Sequence, residues 1–559
     1  IDEGWEREFT LESEDYADYI QRTYPYLRVN RIYADAYAQQ TNGNNEAYPE
    51  VTSAIKNAFE DGSLFINYQG HGGESGWAQE SIFDIPTING LSHNEHFPVL
   101  FTATCEFSRF DNPALQSAGE KVLVKKGGGA IALMTTTRTV WSSGNSIIND
   151  AFWKQYGFPK KDEPIPTLGE LYSRLKNRPF LNSEDYKFAL LGDPSLKLAF
   201  PEHLVTLDSV NDKVFVDERD TLKAFSVVKV KGHIDERLKG LMSDFNGRLY
   251  VNIFDKPVQK STLDNDGIGS SISYNTESSV LFNGVVSVTN GEFEFTFAVP
   301  KDISYQLGKG RAIFYAENGS IDAAGAWRFN IGGSEDLNEI DSVGPVVKAF
   351  MGDTFFRNGG EVLKSTEFVA RVYDESGLNS TGAGIGRDMV AVLDPGTDNE
   401  QRFVLNEFFQ YDPNSFQRGQ INLPLNNLTP GWHEIECKVW DIYNNSGSGS
   451  VRFKVIPERE ALISGHKVYP NPFQDGNDLH FSLEHNLVGE DVKLDFTLFT
   501  SSGSQVYKKN QDVLNAQGKI TVDIDLPTIL SLSQGLYVYR IELHSTDGLH
   551  TSVNGKWIK

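Results

Sequence analysis

Leu64-Phe65-Ile66-Asn67-Tyr68-Gln69-Gly70-His71-Gly72-Gly73-Glu74 opens as a short apolar strand and ends in glycines crowded around one histidine. A second strand pattern, Pro98-Val99-Leu100-Phe101-Thr102-Ala103-Thr104, runs straight into Cys105. Working outward, Val51, Ala54, Ile55, Ala58 and Phe59 recur at helical spacing and stop at Asp61-Gly62, a helix terminator. Helical patterns also fit 113–126, 144–156 and 167–177. Ala130 to Thr135 reads as a third buried strand, and Phe188-Ala189-Leu190-Leu191 leads into the turn Gly192-Asp193-Pro194. This alternation predicts a largely parallel sheet covered by helices.

In open α/β sheets, sites gather beyond the carboxyl ends of the strands. Two neighbouring parallel strands ending in His71 and Cys105 would put imidazole and thiol on one rim. A free thiol has a pKa of about 8.5, so a nearby imidazole is needed to take its proton or to protonate a leaving amine. The backbone N–H groups of Gly72 and Cys105 are the candidates for holding an oxyanion. A lone histidine after a strand is most often structural, and a lone cysteine most often a small buried hydrophobe. It is their joint placement that points to nucleophilic catalysis.

After Pro201 the pattern changes to short alternating strands and turn clusters. Examples are Val227-Val228-Lys229-Val230-Lys231, Glu292-Phe293-Glu294-Phe295-Thr296-Phe297 and Glu434-Ile435-Glu436-Cys437-Lys438-Val439. These read as β-sandwich modules. Seams are expected at Val343-Gly344-Pro345 and after Pro457-Glu458-Arg459-Glu460. The expected modules are therefore 1–201, 202–344, 345–461 and 462–559. A chain of 559 residues suits about four domains.

The formal net charge is −25, which argues against nucleic acid and against anionic lipid as partners. It fits a secreted or surface protein kept soluble by like charge. No apolar run is long enough to span a bilayer. Two cysteines exclude a disulfide scaffold, and Cys437 reads as core. Ile1-Asp2-Glu3-Gly4-Trp5 has no signal-peptide pattern and reads like the middle of a domain, so an upstream portion is expected. No cofactor is expected. The acidic loop Asp264-Asn265-Asp266-Gly267 is compatible with structural Ca²⁺, although a solvated turn is the preferred reading. His93 and His96, beside Asn94 and Glu95, read as a polar loop rather than a zinc pair, because no further ligands cluster there.

Asn67 to Ala78, Ala103-Thr104-Cys105, Gly128 to Leu133, Thr135-Thr136-Thr137, Trp141-Ser142 and Leu191-Gly192-Asp193-Pro194-Ser195-Leu196 resemble, in order, the gingipain family of cysteine peptidases. The resemblance implies a caspase-like α/β domain lacking its upstream half, with His71 and Cys105 as the dyad. It places Trp141 near the substrate pocket, with core packing as the competing role; Glu74 and Trp77 are further pocket candidates. Acidic residues near the family's site lie around this chain's start, where Asp2 and Glu3 have no assigned role.

Val468-Tyr469-Pro470-Asn471-Pro472-Phe473, Gly535-Leu536-Tyr537-Val538-Tyr539 and Lys556-Trp557-Ile558-Lys559 resemble the C-terminal sorting domain of the type IX secretion system. A gingipain-like core, two Ig-like β-sandwich modules and a sorting domain together resemble the sortase of that system, including Gly73-Glu74-Ser75-Gly76-Trp77. That resemblance implies cleavage of sorting domains from cargo and transfer of the cargo to anionic lipopolysaccharide through a Cys105 acyl-enzyme. It implies an outer-membrane β-barrel and attachment-complex subunits as partners. It also implies a peripheral location on the outer-membrane cell surface of a Bacteroidota-type bacterium. The sorting segment running to Lys559 favours this reading. The alternative is a secreted gingipain-like protease that is itself cargo. A non-catalytic adhesin on a dead peptidase fold is disfavoured by the presence of both dyad residues.

Overall fold

The computed structural model describes residues 7–42, 45–92, 96–160, 163–217, 221–237, 239–267, 269, 271–336, 341–382, 386–456, 463–474, 478–546 and 548–559. Asp2 and Glu3, His93 of the His93/His96 pair with its neighbours Asn94 and Glu95, and the seam at Pro457–Glu460 lie outside the described residues.

Four strands make the N-terminal sheet: β1 (Phe65–Gln69), β2 (Val99–Ala103), β3 (Ala132–Thr136) and β4 (Phe188–Leu191), paired in that order. The first three are mutually parallel. Phe188–Leu191, expected only to lead into a turn, is instead a strand antiparallel to β3. Side chains alternate between faces. Val99, Phe101 and Ala103 join a core built with Ile148, Phe152, Leu168 and Leu171. Tyr68, Leu100 and Leu133 join a second core on the other face with Val51, Ile55, Phe59 and Val122.

Helices cover both faces. α1 (Glu8–Thr23), not read from the sequence, buries Phe9, Tyr16 and Ile20. α2 (Pro49–Glu60) starts with a proline at its first turn, where no amide donor is missed. α3 (Ala118–Val124) is shorter than the expected 113–126, because Ser117 and Glu120 form a capping box that fixes its start. α4 (Ser142–Ala151) continues as a π-helical turn over Phe152–Tyr156. α5 (Leu168–Lys176) begins at a second capping box, Thr167 with Glu170. Among the described residues, no helix is long and apolar enough to cross a membrane.

By compactness the chain divides into two units. One comprises 1–359, 367–424 and 433–452; the other comprises 360–366, 425–432 and 453–559. The first unit also holds a nine-stranded sheet drawn from His203 to Ser334. In the second, Ile463–Tyr469, Leu479–His485 and Lys519–Ile524 form one sheet. Gln505–Val513, Val492–Thr500, Leu536–Ser545 and His550–Ile558 form another. Phe481, Phe496, Tyr539 and Trp557 fill the core they share.

Candidate active site

The last register pair between β1 and β2 is Gln69 with Ala103. His71 and Cys105 each lie two residues further along, at matching places on strands that run about 4.8 Å apart. Their parity matches too. Cys105 packs against the same core as Val99, Phe101 and Ala103. The His71 ring meets Phe9 of α1 edge-on, with centroids 5.6 Å apart, and α1 packs on that same face.

The loops carrying the two residues also touch. A Cβ on Gly72 would lie 2.7 Å from Thr104 Oγ1, so only glycine lets the residue after His71 lie against the residue before Cys105. The His71 carbonyl accepts from the Tyr68 hydroxyl at 2.6 Å and from Ala78 N–H at 2.9 Å. The Cys105 thiol donates to the Val140 carbonyl at 3.4 Å. Directly after it, Glu106 has φ of +49°, a left-handed conformation that is strained for a side-chain-bearing residue and tends to mark working sites. His71 is exposed and Cys105 half-buried.

Sequence reasoning missed the polar chain behind this rim. Glu12 of α1 accepts from Gln69 Nε2 and from Ser146 Oγ. Gln69 Oε1 accepts from Asn149 Nδ2 at 3.0 Å, and Asn149 Oδ1 accepts from the Trp153 indole at 2.9 Å. The network locks the end of β1 between α1 and α4. Gln69 stood in the quoted stretch, but its partners are 57 and 80 residues away.

The other candidates divide. Glu74 is occupied by Arg109 at 3.2 Å and by Asn112 at 2.5 Å, while its carbonyl accepts from Ala118 N–H. Its side chain braces a loop instead of facing a pocket. Trp77, expected at the pocket, is 1% exposed and stacks on Tyr68 with centroids 4.2 Å apart. The hairpin pairing Gly72–Gly73 with Gly76–Trp77 folds the indole inward, so it is core. Trp141 stands at the start of α4 with 75% of its surface exposed, which removes core packing as its role.

Cys437 is fully buried, and burial, with the charge of Glu436 adding, pushes its thiol up to about 12. In the 264–267 loop, Asp264 N–H and Asn265 N–H donate to Asp35, and Asp264 accepts from Gly269 N–H, so these groups pin the loop. Asp341, Asp374 and Asp441 bring carboxylate oxygens within 4.8 Å of one another. Burial, with the charges of Asp441 and Asp341 adding, pushes Asp374 up to about 6.

Residues 2–199 match the sequence model of Peptidase family C25. That match covers the gingipain-like part of the chain. Residues 467–552 match the secretion system C-terminal sorting domain, which marks the chain as one bearing a secretion signal. The chain is similar to the dimeric latent PorU of Porphyromonas gingivalis at 26% identity, over 77% of this chain and 41% of that one, with a TM-score of 0.34. It is similar to the RgpB pro- and mature-domain complex of the same organism at 16% identity, over 57% and 63%, with a TM-score of 0.27. A bacterial ice-binding adhesin aligns at 12% identity, over 64% and 98%, with a TM-score of 0.24. The chain thus spans about two fifths of the PorU structure's length. A search of curated proteins returns no match.

Proposed function

We propose that the C25 domain is a caspase-like cysteine endopeptidase in which Cys105 is the nucleophile and His71 the acid–base. The observation that carries this reading is the matched position of the two residues beyond the last register pair of adjacent parallel strands, on one face of the sheet. Cys105 Sγ attacks the peptide carbonyl carbon as His71 accepts the thiol proton. The carbon–nitrogen bond then breaks, His71 returns the proton to the departing amine, and an acyl-thioester remains. Gly72 suits the oxyanion role. In the hairpin, Ala78 N–H donates to the His71 carbonyl, so the alternation of antiparallel pairs turns the Gly72 N–H away from the partner strand.

The substrate we infer is the C-terminal sorting domain of secreted cargo, handled by a sortase at the cell surface. An amine of anionic lipopolysaccharide attacks the thioester and the Cys105 thiol departs. An outer-membrane β-barrel and attachment-complex subunits present the cargo. What supports this is the pairing in one chain of a C25 domain with a type IX sorting domain. The second reading, a gingipain-like protease that is itself cargo, is favoured by the same sorting domain and resolves the thioester with water. Mass spectrometry of a sorting-domain cargo, incubated with the full chain and anionic lipopolysaccharide, separates them. A cargo carrying the added amine, absent with Cys105→Ala, supports the sortase. A free carboxylate supports the protease, and cleavage that persists in Cys105→Ala overturns both.

A further inference from the structure

The segment between β3 and α4, Thr137–Trp141, brings the Val140 carbonyl to the Cys105 thiol, and the next residue, Trp141, has its side chain largely exposed. Trp141 occupies the N-cap of α4, where a short polar side chain normally satisfies the first amides, and its own side chain makes no cap hydrogen bond. The cap comes from elsewhere. Glu184 Oε2 accepts the Trp141 N–H at 3.0 Å, and Glu184 is only 7% exposed. Its side chain lies across the first turn of α4 so closely that a Cβ on Gly144 would sit 2.2 Å from Glu184 Cγ. Lys187 donates to both carboxylate oxygens at 2.9 and 2.8 Å and reaches the Thr139 carbonyl at 2.8 Å. The Lys187 carbonyl in turn accepts from the N–H and hydroxyl of Thr137 at 2.9 and 3.1 Å.

We propose that Glu184, tied to Lys187, is a positioning residue: it holds the Val140–Trp141 segment so that the carbonyl aligns the Cys105 thiol and the indole stands as a wall for the substrate residue before the cut. Giving the N-cap to a tryptophan breaks a local rule of helix formation, and such breaks concentrate where function needs them. A buried carboxylate from another element restores the helix end without placing a side chain where the wall is needed. Burial opposes the ionisation of Glu184, but Lys187 and the Trp141 N–H outweigh it and hold the carboxyl below its usual range. The device rests on Cys105 being the nucleophile, and its test keeps the two ideas separate.

The test compares Glu184→Ala, Glu184→Gln and Lys187→Met in the full chain. It measures kcat and KM for a sorting-domain substrate, the rate of Cys105 alkylation by iodoacetamide, and thermal melting. Glu184→Ala should raise KM and change the alkylation rate, with kcat/KM falling about ten- to a hundredfold, the scale of a misplacement near 1 Å. Lys187→Met should lose less. Glu184→Gln keeps an oxygen for the Trp141 N–H and should recover to within several-fold. KM and alkylation within twofold of the parent in Glu184→Ala would overturn the assignment. So would a Glu184→Gln as damaged as Glu184→Ala with melting lowered in step. If Glu184→Ala does not fold, Lys187→Met decides, and parent-like KM and alkylation there overturn the clamp. Activity surviving in Cys105→Ala defeats the nucleophile reading, whereas alkylation reports on thiol alignment without any turnover.

Discussion

The chain's two cysteines sit in opposite surroundings. Cys105 lies just past the end of a parallel strand, half-buried, in a turn whose next residue is left-handed. Cys437 lies in the middle of Gly431–Trp440, opposite Ala391, on the inward face of an alternating antiparallel strand. The same side chain is a candidate nucleophile in one place and a small hydrophobe in the other. What differs is where the strand stops: a strand end offers turn geometry, backbone amides and neighbouring loops, whereas a strand middle offers only packing.

The largest effect should separate the two thiols outright. Cys105→Ala should lower cleavage of a sorting-domain substrate on the order of a thousandfold or more, the scale of losing a nucleophile. Cys437→Ala should leave kcat/KM within about twofold and lower stability by about 1 kcal/mol through lost packing. Comparable activity loss in both variants, measured by steady-state kinetics beside melting curves, would break the contrast.

The cluster of Asp341, Asp374 and Asp441 should show its own titration. Asp374 ionises at about 6 in the folded chain against about 3.9 when unfolded. The folded state therefore holds the proton more tightly. Its contribution to stability is fully present below about pH 4 and is lost as pH rises through about 6, on the order of 3 kcal/mol in all. Asp374→Asn should flatten that part of the stability profile in denaturant titrations across pH 4–7. An unchanged slope would mean that the three carboxylates are not held together as described.

A smaller effect sharpens the rim. Gly72→Ala would drive a methyl into Thr104, whereas the equivalent Cβ on Gly73 meets nothing within 4 Å. Gly72→Ala should cost about 2 kcal/mol and lower activity roughly tenfold, the usual size of an overpacking strain. Gly73→Ala should be silent in both activity and melting temperature. Equal behaviour of the two variants would show that the His71 and Cys105 loops are not pressed together.

Much of this rim was legible in the sequence because strand periodicity and glycine punctuation are local signals. β1, β2 and the helix ending at Glu60 follow from such patterns. α1 was missed because its buried positions, Phe9, Tyr16 and Ile20, are widely spaced among acidic and polar residues. The partners of Gln69 and of Trp141 come from distant segments, and no local pattern announces a helix cap supplied from another element. Trp77 misled for a related reason. The resemblance made Trp77 a pocket candidate because it follows the histidine in the matching stretch, but the hairpin turns it beneath Tyr68.

Catalysis as proposed requires that His71 act on the Cys105 thiol across the shared rim. The most direct measurement is the pH dependence of iodoacetamide labelling at each cysteine, read by peptide mass spectrometry in the parent chain and in His71→Ala. His71→Ala should shift or slow labelling of Cys105 near neutral pH while Cys437 stays unlabelled in both. Superimposable Cys105 profiles, or labelling of Cys437 in the folded chain, would contradict it.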